Sequence, residues 1–190
     1  MGRILLGILL AMILLPVAAL GWMRFGKVPV AVADPPFPHE HEIVNIPLYA
    51  RIDRELVKTP PVQADEDDLV AGAHVYSEKC SVCHGFHAKP SPIGSNMYPA
   101  APQLWEKHGT AVGVSDDPVA VTYWKVVNGI RLTGMPSYKL MLTDTEIWQV
   151  STLLANADKP LPPNAVDLLR GEPAPAPVEE PGPRKPSDTK

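Results

Sequence analysis

Two cysteines occur in the chain, Cys80 and Cys83, three positions apart, with His84 directly after the second. A C-x-x-C serves three chemistries. A structural zinc site takes four ligands, usually from two such pairs. No second pair is present, and His39, His41, His74, His87 and His108 show no paired ligand spacing on a helix. A thioredoxin-like redox pair expects alternating strands and helices around it, and no convincing strand is readable here. Covalent haem attachment uses C-x-x-C-H. Two thiols add to the vinyl groups of neighbouring pyrrole rings, and the adjacent histidine is placed under the iron as an axial ligand. Cys80, Cys83 and His84 are therefore the candidate attachment and ligand residues for one covalent haem c.

A haem iron also asks for a ligand on its other face and an apolar envelope. The candidates are Met135, Met97, Met141 and the remaining histidines. A methionine is more often a core filler than a ligand. Met135, however, stands in "TGMPSY", where the flanking glycine and proline argue against a place in a helix core. Met135 is the favoured ligand and Met97, in "SNMYP", the second choice. Met141 is expected to pack ahead of the last helix.

The elements that must hold these residues read as helices. Leu69, Gly72, Ala73, Tyr76 and Cys80 lie on one helical face, and Asp65 to Asp68 suit the positive N-terminal end of that helix. Gly72 weakens a helix, so close approach of another backbone is its expected role. A second helix is predicted from about Asp117 to Asn128, capped by Asp116 or Asp117. Ala120, Trp124 and Val127 share its face, and Asn128–Gly129 end it. Thr143 and Glu146 form a capping box for a third helix. Ile147, Val150, Leu154 and Ala157 share one side of it, beside Trp148.

Around this core lie two other kinds of chain. Ile4 to Met23 is an apolar run of 20 residues without a charge, long enough at about 1.5 Å per residue to cross the hydrocarbon core of a bilayer. The apolar region of a cleaved signal peptide is shorter, so residues 1–27 read as a membrane anchor, with a signal segment as the alternative. Residues 28–63 read as a proline-rich tether, residues 64–158 as the helical domain, and residues 159–190 as a proline-rich disordered tail in which Ala165–Leu169 could pack back as a short turn. Arg3 and the terminal amine nearly balance Arg24 and Lys27, so the charge rule for orientation does not decide.

The formal net charge is -4. No block of lysine and arginine forms, which excludes the electrostatic footprint of a nucleic-acid binder. Acidic residues outnumber basic ones by about two to one between Ala64 and Asp158, so a docking partner would more plausibly be basic.

Taken together, Gly72 and Tyr76, "CSVCHG", "PQL" at Pro102–Leu104, "NGIRLTGMPSY" and "LTDTEIWQV" resemble class I c-type cytochromes, over Asp65 to Asp158. The resemblance implies an all-α fold, a small helical domain around one covalent haem, preceded here by a single transmembrane helix. It implies that Cys80 and Cys83 hold the haem, that His84 and Met135 ligate the iron, and that the Pro102 carbonyl accepts the ring N–H of His84. It places Gly72 and Tyr76 where the first helix crosses the last, near Trp148. One departure is the loop "FHAKPSPIGSNMYPAAP", where the family often has a glycine-rich segment.

Two protein ligands leave an iron no open position, so the expected task is one-electron transfer. The expectation is a membrane-anchored carrier, or an electron-transfer subunit of a respiratory complex, and not an enzyme with a small-molecule substrate. It would link a quinol-oxidising complex or dehydrogenase to a terminal oxidase or other acceptor. Its partners would be redox proteins and its haem domain would lie on the extracytoplasmic, periplasmic side. The alternatives are a small-gas binding or sensing module with a labile methionine, and a peroxidase-like site using His87 or His108.

Overall fold

The structure, a computed structural model, describes residues 2–56 and 61–171. They form two compact units, divided between Tyr49 and Ala50.

The first unit holds α1, Gly2–Phe25, a helix apolar enough to cross a membrane. After it the chain turns back. The Asp34 carboxylate accepts the Val30 and Ala31 N–H groups at 2.8 and 2.9 Å, and the Phe37 ring sits 6.2 Å from that of Trp22. Residues 40–55, read from sequence as part of a tether, form a helix, α2, Glu40–Glu55. Its sequence period is masked by Pro47 and by apolar residues that do not all face inward, and its one fully buried residue is Ile52.

In the second unit, α3 (Glu66–Val75) begins where Asp65 accepts the Asp68 N–H at 2.9 Å, with three more carboxylates in its first turn. A cap and negative charge at a helix start both satisfy its free N–H groups. Leu69, Gly72, Ala73 and Tyr76 are buried as their spacing predicts. The second helix, α6, runs over Val119–Asn128. Pro118, not an aspartate, occupies its cap position, and Asp117 instead pairs with Lys125 at 3.3 Å. Ala120 and Trp124 are buried and Val127 is half-buried. The third helix, α7, spans Asp144–Ala155 and carries the full capping box of Thr143 and Glu146.

The core forms where α3 crosses α7. A Cβ on Gly72 would lie 2.5 Å from the Gln149 carbonyl oxygen, so only glycine lets the two backbones meet there. Gln149 also donates to Asp68 across the crossing at 2.8 Å. Trp148 directly precedes Gln149 at this crossing. Its ring stacks on Tyr123 of α6 at 3.8 Å, and Tyr76 meets Trp105 edge-on at 5.5 Å. Helix periodicity gives a face, not the neighbour that will cover it.

Lys107–His108 and Ala111–Val112 form a two-stranded antiparallel hairpin, β1 and β2. Ala165–Leu169, read from sequence as a stretch that could pack back, does so as α8, Pro163–Leu169, which buries Ala165 and Leu169 in the core formed by α3 and α7. The rest of the proline-rich tail, 172–190, lies outside the described residues. Within the second unit, which begins at Ala50 in the last turns of α2, Ile52 is buried, Glu55 accepts the Trp124 indole N–H at 2.9 Å and Arg51 lies over the Trp124 ring.

Candidate functional site

The site begins where α3 stops being an ordinary helix. Tyr76–Cys80 form one π-helical turn, and Ser81–His84 follow as a single α-helical turn, α4. Such a turn holds one residue more than an α-turn, a local departure often found at functional positions. Cys80 and Cys83 are half-buried free thiols. Burial, with Cys83 second, pushes the Cys80 thiol up to about 12. A redox-active C-x-x-C holds its nucleophilic thiol low instead.

His84 closes the turn. Its Nδ1 donates to the Pro102 carbonyl oxygen at 2.8 Å. A carbonyl only accepts, so Nδ1 carries the proton and Nε2 keeps its lone pair. Burial holds the imidazole below its usual pKa, which favours this neutral form, while the bond to Pro102 acts in the opposite sense. The turn's own backbone is secured by Tyr76, whose hydroxyl donates to the Gly85 carbonyl at 2.7 Å. Gly85 has φ +71°, and a Cβ there would meet Gln103 and the Lys89 carbonyl.

Several residues that sequence reasoning missed fasten the proline-punctuated loop to this motif. Ser91 donates to the Val82 carbonyl and caps α5, Pro92–Ser95, by accepting the Gly94 N–H. Gly94 lies directly against the Cys83 carbonyl, leaving no room for a side chain. Gln103 accepts the Ser91 N–H at 2.7 Å and donates to the Ala101 carbonyl at 3.0 Å. Gln103 stands in the quoted "PQL" triplet, which was the available signal. For Ser91 the signal was the Ser91–Pro92 pair that starts α5; Gly94 had none, because the Cys83 carbonyl it lies against is eleven residues away.

Met135 lies on the loop between α6 and α7. Gly129 leaves α6 at φ +66°, tight against Pro136 and Ser137. Thr133 donates to the Ile130 carbonyl at 2.7 Å and accepts the Met135 N–H at 3.1 Å. Tyr138 donates to the Lys79 carbonyl at 2.8 Å, the residue before Cys80. Burial first, then Cys80 and Cys83, hold the Tyr138 hydroxyl above its usual range, so the methionine loop stands next to the cysteine turn. Met135 is half-buried. The methyl end of Met97, also half-buried, lies against Gly134, which brings the second-choice methionine to the same loop. Met141 is 56% exposed and does not pack as expected. His87 is exposed and His108 sits on the exposed strand β1. Among the described residues no group of three or more His, Cys, Asp or Glu could hold a metal ion. The donor set here is thus two thiols, one oriented imidazole and nearby thioethers, which fits a covalent haem.

Residues 67–154 match the family model described as cytochrome c oxidase, cbb3-type, subunit III. That stretch is a class I c-type cytochrome domain. The all-α fold and the helices α3, α6 and α7 of the domain follow from this. Its chemistry is electron transfer by a c-type cytochrome. No curated protein and no solved structure matches the chain. The cytochrome domain excludes α1, α2 and α8 from its matched residues, so what those helices do must be argued from this chain alone.

Proposed function

We propose that this chain is a membrane-anchored monohaem cytochrome c, carrying single electrons between redox proteins on the extracytoplasmic side. Cys80 and Cys83 would hold the haem through thioether bonds, each S–H adding across one vinyl group. His84 and Met135 would ligate the iron. When bound, haem c supplies an iron that changes by one electron between its ferrous and ferric states. With a histidine and a methionine both bound, the ligand set raises the potential relative to two histidines and leaves no open position.

The observation that carries this reading is the bond from His84 Nδ1 to the Pro102 carbonyl. A ligand histidine is fixed in tautomer and orientation by the partner of its other ring nitrogen. The C-x-x-C-H turn and the Pro102 loop thus present Nε2 in one direction before any iron arrives. The apolar length of α1 supports anchoring. A tether to the membrane would restrict the domain's search to partners there, raising its effective concentration. The donor read this way is a quinol-oxidising complex or a dehydrogenase, and the acceptor a terminal oxidase or another redox protein.

The test uses full-length protein made in a host competent for haem attachment. Its intact mass should exceed that of the polypeptide by one haem, and carbon monoxide should leave the reduced visible spectrum unchanged. A polypeptide without bound haem contradicts the reading. A carbon monoxide complex would favour gas binding at a labile methionine position.

A further inference from the structure

One side of α2 carries an exposed apolar face. Ile43, Ile46, Pro47 and Ala50 follow the i, i+3, i+4, i+7 spacing of one face, and all are exposed, Ile43 by 61% and Ile46 by 69%. Val44 and Tyr49 flank them, also exposed. The buried Ile52 stands nine residues after Ile43, half a turn round the helix at about 100° per residue. The side that enters the core is therefore the opposite one. The apolar face is bounded along the helix by Glu40 and Glu42 at one end and by Arg51 and Arg54 at the other.

What covers it is indicated by where α2 starts. Phe37 folds back onto Trp22, in the last turn of α1, and an indole near a span's end suits the membrane–water boundary. The Phe37 N–H donates to Glu40 at 2.8 Å, at the first residue of α2. The helix thus begins at the level of that boundary and not at the end of an extended linker. Pro47 has no N–H to give the Ile43 carbonyl, which must find a donor from water or a headgroup. That condition is met at the interface and not in the hydrocarbon interior. Arg54, on the same side, has a stem long enough to keep its charge in water while its methylenes stay apolar.

We propose that α2 is an interfacial helix, its face of Ile43, Ile46, Pro47 and Ala50 lying in the headgroup–acyl boundary of the bilayer. Interfacial helices bind in this way by burying one apolar face to a shallow depth. The proposal rests on the reading of α1 as an uncleaved anchor. Its consequence is a second membrane contact for the chain, in addition to α1.

Site-specific photocrosslinking in nanodiscs of mixed phosphatidylcholine and phosphatidylglycerol tests this on the full-length haem protein. A benzophenone amino acid replaces Leu14 in α1 or Ile46 in α2, one at a time, and adducts are identified by mass after illumination. Lipid adducts at both positions are expected. Lipid adducts at Leu14 alone would overturn the interfacial helix while leaving the anchor intact, whether Ile46 gives no adduct or a protein crosslink. No lipid adduct at Leu14, or a mature mass lacking α1, would overturn the anchor reading itself.

Discussion

The Tyr138 hydroxyl donates to the Lys79 carbonyl oxygen at 2.8 Å, joining the methionine loop to the backbone just ahead of Cys80, 59 residues earlier in sequence. One side-chain bond thus couples the two halves of the proposed haem site. Tyr138→Phe keeps the ring and removes only the donor. It should lower unfolding stability by about 0.5–1.5 kcal/mol, the usual net worth of such a bond. Chemical denaturation of the haem protein measures it. The variant should also bind added imidazole more readily, because the loop that carries Met135 is less firmly held. Wild-type stability together with wild-type imidazole binding would mean that this bond does not hold the loop.

Gly72 sets how closely α3 and α7 approach. Gly72→Ala places a methyl 2.5 Å from the Gln149 carbonyl oxygen, against backbone that cannot swing away. Alanine gains up to about 1 kcal/mol of helix propensity over glycine, but forced overpacking costs about 1–3 kcal/mol. Net destabilisation is expected in thermal or denaturant unfolding. A stabilised variant would show that the helices do not cross at this residue.

Glu55 makes the α2 contact sensitive to pH. The Trp124 indole N–H first, and Arg51 second, hold its carboxyl below the ordinary value of 4.5. A carboxyl with a depressed folded pKa adds stability that is fully present above its unfolded pKa and is lost as pH falls through the folded value. Wild type should therefore exceed Glu55→Gln in unfolding midpoint above about pH 5, by a difference that narrows as the solution is acidified below 4.5. A difference that stays constant from pH 7 to pH 3 would contradict an ionised Glu55 in this contact.

Gln103 adds a side-chain bridge between two segments that the Ala101 N–H also joins through the Gly94 carbonyl. Gln103→Leu removes the acceptor of the Ser91 N–H, and an amide left without a partner in a partly buried site costs about 1–3 kcal/mol. Hydrogen exchange at Ser91 reads it directly. Faster exchange at that amide is expected, and unchanged protection would show that another group satisfies it.

What could be read from sequence was local. The C-x-x-C-H turn, the face of α3 and the Thr143–Glu146 capping box depend on residues within a few positions of one another, and each stands as its spacing predicts. What could not be read depends on distant partners. The ordered end of α2 is fixed by Trp124, 69 residues away from Glu55. The packing-back of Ala165–Leu169 was readable, but not that α8 would bury Leu169 on the α3–α7 core. The ring that covers Trp148, Tyr123, stands on another helix and is not read from the α7 pattern. The π-helical turn at Tyr76–Cys80 leaves no composition signal at all.

The placement of the Met97 methyl group against Gly134 makes the choice between two methionines the sharpest question at the site. The visible spectrum of the oxidised full-length protein answers it, recorded for wild type, Met135→Ala and Met97→Ala. The account predicts the weak far-red band of sulfur bound to ferric iron in wild type and in Met97→Ala, and its loss in Met135→Ala. Loss in Met97→Ala with retention in Met135→Ala would move the ligand to the other methionine. A wild-type protein with bound haem and no such band would contradict ligation by either.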